Sequence, residues 1–191
     1  MAQLRDEELV AAVLEGEVEK YEQLVSRYQG RVVNYLYRML RSLDDAHDLA
    51  QDVFLRVYRA LDRFDPQYKF STWLFRVAKN AAIDSVRKRR IRTVSMERPQ
   101  NEEGDSSSFD FPSPDPDPYG DARNLERRQA IGSAIEELPA EYRELVQLRH
   151  FAELSYGEIA ELKEMPLGTV KNKLFRGRQM LKEKLADFLT D

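Results

Sequence analysis

Residues 154–181, LSYGEIAELKEMPLGTVKNKLFRGRQML, hold side chains suited to recognition chemistry. In the second half of this stretch Gly168, Asn172, Phe175, Arg176 and Gln179 share one helical face, flanked by Thr169 and Lys171. The opposite stripe is Val170, Leu174, Gly177, Leu181 and Leu185, which is helical periodicity. Phenylalanine between an amide and a guanidinium makes an odd solvated face. The same set suits a major groove, where amide and guanidinium groups bond base edges and an apolar group meets the thymine methyl. The competing reading is an ordinary helical hairpin with a charged exterior. Ala160 and Val170, small and branched residues that permit close packing, and the basic character of the second helix favour DNA.

Two helices must position that face. Ser155 with Glu158 three residues later forms a capping box, so a helix starts there, with Ile159, Ala160 and Leu162 on its buried side. Lys163-Glu164-Met165-Pro166 ends it, because a residue before proline disfavours the helical region. Pro166 then suits a new helix start. Glu164 stands where helix-turn-helix corners usually carry glycine.

A second candidate face lies on a helix from about Ser71 to Ile91 that runs into RKRRIR, five bases in six residues. Its inner stripe is Leu74, Val77, Ala78, Ala81 and Ser85, and its other stripe is Trp73, Arg76, Asn80, Ile83, Asp84 and Arg87. The chain's single tryptophan is thus expected to project beside bases and an asparagine rather than with the aliphatic core. Rings for stacking and cations for the backbone are what single-stranded nucleic acid requires. A tryptophan at the core edge, with a basic helix end favoured by the macrodipole, explains these residues equally well.

A third face lies on a helix of about Asp45 to Leu61. Ala46, Leu49, Ala50, Val53, Val57 and Leu61 make its buried stripe, whereas Asp48, Gln51, Asp52, Leu55 and Arg59 lie opposite. Leu55 exposed beside two acids and an amide hints at a protein contact. Upstream, Asp6 is expected to cap a helix through Glu15 that stops at Gly16. A further stretch carries Tyr21, Leu24, Val25 and Tyr28 towards Arg41, with an interruption expected near Gly30.

Composition sets the frame. The 191 residues suffice for one large domain or two small ones. With no cysteine, disulfides and thiolate metal sites are excluded, and only His47 and His150 offer imidazoles. No metal or cofactor is expected, and a reducing, cytoplasmic setting fits. The sequence lacks a run long enough to span a membrane, and MAQLRDEELV lacks a signal-peptide core, so a soluble chain is expected. Charge is uneven. Residues 94–121 carry eight acids and one base, a net −7 that leaves +3 for the rest of a chain totalling −4. That segment also holds five of the eight prolines, which marks a disordered acidic linker between two helical lobes. The expected architecture is all-α: an N-terminal domain over 1–92, a linker over 93–122, and a helix-turn-helix domain over 123–191.

This series of segments resembles bacterial RNA polymerase sigma factors of the extracytoplasmic-function (ECF) group of the sigma-70 family. The resemblance rests on DEELVAAVLEG, LVSRYQGRV, DLAQDVFLRVYRAL and FSTWLFRVAKNAAIDSVRKRR in the first lobe. In the second it rests on LPAEYRELVQLRHFAELSYGEIAELKEMPLGTVKNKLFRGRQML. It implies that Asp48, Gln51, Asp52 and Leu55 dock on the β′ clamp helices of core RNA polymerase, and that the second lobe meets the β flap. It implies a minus-10 reader at Trp73, Arg76, Lys79, Asn80, Asp84, Arg87 and Arg90, with Asn80 by the pocket for an extruded base. It implies a minus-35 reader at Pro166, Gly168, Thr169, Lys171, Asn172, Phe175 and Arg176.

The implied partners are core polymerase, promoter DNA in double- and single-stranded form, and an anti-sigma factor, in a stress-response setting without stable membrane insertion. Lys171 and Lys173 depart from the arginines of many members, and lysine cannot reproduce a bidentate grip on guanine. The acidic linker reads equally as an imitation of RNA in a basic channel or as a solvated spacer. No Walker-type loop or nucleophile with a base is present, so no enzyme is expected. A stand-alone helix-turn-helix regulator explains residues 154–181 equally well but leaves Trp73, Asn80 and the Asp48 face without a role. A protein adaptor fits the basic faces poorly.

Overall fold

The computed structural model describes residues 4–95, 127 and 129–186, with no strand among them. The first lobe comprises α1 (Asp6–Leu14), α2 (Glu19–Leu40), α3 (Leu43–Arg59), a 3-10 turn (Leu61–Arg63) and α4 (Phe70–Ser95). The second comprises α5 (residues 129–136), α6 (Ala140–His150), α7 (Tyr156–Leu162) and α8 (Leu167–Lys184). The all-α, two-lobe expectation holds. The segment 96–126, which includes most of the expected acidic linker, lies outside the described residues.

Local chemistry corrects several expected boundaries. Asp6 is the first residue of α1 rather than its cap, and its carboxylate accepts from Arg27 and from the Tyr28 hydroxyl of α2. Glu8 instead serves the helix start, accepting the Arg5 backbone N–H at 2.8 Å. The chain turns at Gly16, whose φ of +108° lies in the left-handed region where a side chain would be strained. α2 runs unbroken through Gly30, because its 22 residues are held by a continuous buried stripe. That stripe includes Leu24, Tyr28, Val32, Leu36 and Leu40. α3 begins two residues before the expected Asp45, since the Ser42 hydroxyl accepts the Asp45 N–H at 3.2 Å.

In the first lobe α2 packs on α3 and α4. Ala46, Ala50, Val53 and Val57 of α3 and Leu74 and Ala78 of α4 are buried as expected, while Leu49, Val77 and Ser85 are half-buried. Burying an aliphatic side chain of Val or Leu size contributes about 1.5–3 kcal/mol, so these stripes hold the lobe. In the second lobe α6, α7 and α8 pack together. Gly177 permits the α6–α8 approach: a Cβ there would lie 3.2 Å from Val146 Cγ2.

The lobes are also docked on each other, α4 against α7 and α2 against α6, with their cores joined into one buried cluster. Phe75, Ala78 and Ala82 from the first lobe and Leu154, Ile159 and Leu162 from the second all belong to it.

Candidate nucleic-acid and polymerase interfaces

The helix-turn-helix is built as its residues dictate. Ser155 and Glu158 complete the capping box, with the Ser155 N–H donating to Glu158 at 2.8 Å and the Glu158 N–H to the serine hydroxyl at 3.2 Å. Ile159 and Leu162 are buried and Ala160 half-buried. Glu164 adopts a φ of 51°, the left-handed conformation that favours glycine at such corners. Pro166 is the N-cap of α8 rather than its first helical residue.

From there Val170, Leu174 and Gly177 turn inward, with Leu181 and Leu185 half-buried. Gly168, Lys171, Asn172, Phe175, Arg176 and Gln179 are exposed on the other face, and Thr169 is half-buried beside them. Phe175 is 60% exposed, far more than an aromatic at this position needs for packing. The helix thereby presents an amide, two cations and a ring in one row.

The bases of α8 divide. Lys171 and Arg176 stand on the exposed face, whereas Lys173 pairs with Glu141 of α6 and lies 5.8 Å from the Tyr142 ring centroid. Its hydrogen bond holds the Glu141 carboxyl below the usual carboxylate range. Arg178 donates to the Tyr156 hydroxyl. Lys173 and Arg178 therefore fasten α8 to the lobe, while Lys171 and Arg176 face outward.

On α4, Arg76, Asn80, Ile83, Asp84 and Arg87 are exposed along one stripe. Trp73 takes the core-edge position, one of the two readings that its sequence left open. It is half-buried, its ring 5.4 Å from that of Phe64 and 6.1 Å from that of Phe70, so it sits at the edge of an aromatic cluster with one side available. Lys79 is also half-buried, and its ammonium forms a 2.9 Å ion pair with Glu144 of the second lobe. The side chain of Arg90 lies outside the described residues. Val86, 43% exposed beside Ile83 at 46%, extends the apolar part of this face and was not expected.

On α3, Asp48, Gln51, Asp52 and Leu55 are all exposed, Leu55 at 52%. Arg56 donates to Asp52 at 3.2 Å one turn away, an exposed pair of little stabilising worth. The face is thus a mixed acid, amide and leucine surface standing clear of the lobe contact.

Sigma-70 region 2 matches residues 24–92, the span holding α3 and α4, and sigma-70 region 4 matches residues 128–181, the span holding the helix-turn-helix. The chain is 34% identical over 178 residues to the ECF RNA polymerase sigma factor SigW of Bacillus subtilis, covering 93% of this chain and 95% of that one. The chain belongs to the ECF sigma factors.

Solved structures share its fold. CnrH in complex with the cytosolic domain of CnrY superposes with a TM-score of 0.67 at 23% identity, covering 95% of this chain and 97% of that one. The sigma factor RpoE of Bartonella quintana, in complex with the anti-sigma factor NepR, gives 0.62 at 21% identity, covering 88% and 98%. As a sigma factor this protein binds core RNA polymerase and directs promoter-specific initiation. Among the described residues no helix is long and apolar enough to cross a membrane, and no group of three or more His, Asp or Glu could hold a metal ion.

Proposed function

We propose that the three exposed faces divide the work of this ECF sigma factor. The α3 face of Asp48, Gln51, Asp52 and Leu55 docks on the β′ clamp helices of core polymerase, and the second lobe meets the β flap. Arg76, Lys79, Asn80, Asp84, Arg87 and Arg90 of α4, with the accessible side of Trp73, hold the minus-10 strand. Pro166, Gly168, Thr169, Lys171, Asn172, Phe175 and Arg176 read the minus-35 duplex. The corresponding domains are 1–92 and 123–191, with the acidic segment 93–122 between them. The observation that carries this division is the coincidence of exposed amide and cationic groups on α4 and α8, beside half-buried Trp73 on the first and exposed Phe175 on the second, within the spans matching regions 2 and 4.

The chain's contribution is binding energy, not bond-making. Nucleotidyl transfer is the polymerase's, and the cytoplasm is the compartment where both meet. Unstacking a base costs a few kcal/mol, and stacking on an aromatic returns about 1–3 kcal/mol, so α4 can offset the cost of opening. Asn80 can pair with the edge of the extruded base while cations neutralise the backbone. An anti-sigma factor is a further partner, as the structural relative from Bartonella quintana is bound to one.

Run-off transcription with purified core polymerase on genomic promoter fragments tests the division. Wild type gives promoter-specific transcripts. Asn80→Ala keeps core binding but loses selectivity at one minus-10 base, and wild-type selectivity in that variant would remove Asn80 from the reader.

A further inference from the structure

Glycine inside a helix needs a reason, since it disfavours the helical state about fivefold against alanine. Gly16 has one in its left-handed φ, and Gly177 has one in the close approach of Val146. Gly30 has neither. It lies midway along α2, and a Cβ built on it would meet nothing within 4 Å. The other described helical glycine that faces open space is Gly168, on the α8 face assigned above to duplex DNA. A missing side chain on an exposed face lets a partner come close to the backbone.

Gly30 lines a groove of about 500 Å³ on α2 and α3 that is open to solvent. Buried Val33 and half-buried Val25 supply its apolar lining, and Glu22, Asn34 and His47 supply polar groups. An apolar patch edged by polar groups is how protein interfaces surround an anchoring side chain. Charge narrows the partner. Glu22 lines the groove and no lysine or arginine does so among the described residues, while Asp48 follows His47 on α3 and Asp52 lies one turn on. Phosphates are repelled by such a set, so promoter DNA does not fit and a cationic protein segment does. The groove also adjoins the α3 face, because Gln51 stands four residues after His47 and is its neighbour on the helix surface.

We propose that the groove on α2 and α3 receives a lysine or arginine of the polymerase clamp, its aliphatic stem laid over Gly30 against Val25 and Val33 and its charge at Glu22. The proposal rests on the reading of α3 as the polymerase face and enlarges that face onto α2. Gly30 is then a specificity residue for core polymerase, kept against the preference of its own helix.

Side chains added at Gly30 separate folding from binding. Gly30→Ala and Gly30→Leu should both unfold at a higher temperature than wild type, because each restores helix propensity in open space. Both should bind purified core polymerase more weakly in fluorescence anisotropy, by about threefold and about tenfold, as a filled groove excludes the incoming side chain. Glu22→Gln should lower core affinity about threefold and flatten its salt dependence. Binding to minus-35 duplex should be unchanged in all three. The full-length chain has no cysteine, so a benzophenone placed at Ser26→Cys, beside Gly30 in the groove, should crosslink to β′ in the assembled holoenzyme.

Wild-type core affinity in folded Gly30→Leu, or a Ser26→Cys adduct on another subunit or on DNA, would overturn the proposal. So would a lower melting temperature for Gly30→Ala, which would show that the glycine serves the fold. If Gly30→Leu binds normally while Gln51→Ala with Asp52→Ala does not, the groove is lost and the α3 reading survives. If the α3 variant also binds normally, both are lost.

Discussion

Arg176 and Lys171 are both exposed cations on α8, yet their chemistry separates them. A planar guanidinium can grip a guanine edge through two hydrogen bonds, whereas an ammonium is a point charge suited to phosphate. Arg176→Ala is therefore expected to cost about 1–3 kcal/mol and to relax preference at one minus-35 base pair, and Lys171→Ala to weaken all sequences alike. Binding to a series of single-base minus-35 variants checks both, and an unchanged preference profile in Arg176→Ala would move base reading elsewhere on the helix. At the corner before α8, Glu164 holds a φ of 51°, a conformation that costs a non-glycine residue about 1 kcal/mol. Glu164→Gly should accordingly stabilise the fold by about 0.5–1 kcal/mol in urea unfolding, and a loss of stability would show that the glutamate side chain contributes more than its backbone costs. The sequence places this corner through Pro166, but the sign of φ is not legible there, because it depends on where α8 must depart.

α3 and α8 show what periodicity can and cannot reveal about an element. The buried stripe of α3 and its exposed Asp48, Gln51, Asp52 and Leu55 follow from spacing alone, because a helix repeats its face every few residues regardless of its neighbours. Gln51→Ala with Asp52→Ala should therefore weaken core polymerase binding by about 1–3 kcal/mol per central contact while leaving helicity intact. Normal affinity in a quantitative pull-down would release this face from the polymerase contact. Gly177 falls on the inward stripe of α8 by spacing, but the reason for glycine there lies on another helix, where a Cβ would come within 3.2 Å of Val146 and 3.5 Å of Tyr142 of α6. Gly177→Val should overpack that contact and destabilise the second lobe by about 1–3 kcal/mol, read as a lower midpoint in thermal unfolding. Trp73 is the counter-example: spacing left its place between an outer face and the core edge undecided, because the aromatic cluster it joins is completed by Phe64, which lies between the 3-10 turn and α4 and shares no helical register with it.

The docking of the lobes is not legible in the sequence, since nothing in the spacing of Arg31, Arg38 and Arg41 along α2 names a partner. Their partners sit more than a hundred residues away in the other lobe, except for Arg41, whose partner Glu136 is nearly as distant. The same charges predict how the whole molecule answers to pH. Burial pushes the Glu144 carboxyl upward, but hydrogen bonds and charge from Lys163 and Lys79 outweigh it and hold the group below the usual range. Burial likewise opposes ionisation of Glu158, and the hydrogen bonds from Ser155 and Ser71, with Arg31 nearby, again win. Of the tyrosines near these carboxylates, Tyr35 near Glu144 and Tyr28 near Glu158 are pushed upward by burial and stay neutral through this range, so neither competes for the proton. A carboxylate whose folded pKa is depressed adds stability that is fully present above its unfolded value, about 4.5, and is lost as pH falls through the folded value. Lys79, Ser71 and Arg31 belong to the first lobe, so part of that stabilisation exists only while the lobes are docked. Energy transfer between Glu22→Cys and Glu183→Cys labels should therefore decline as pH is lowered from about 5 towards 3.5, ahead of the helical dichroism, and Glu144→Gln should blunt the response. Transfer that persists until the helices themselves melt would mean that apolar contact alone, among Phe75, Ala82, Leu154 and Ile159, holds the closed chain together.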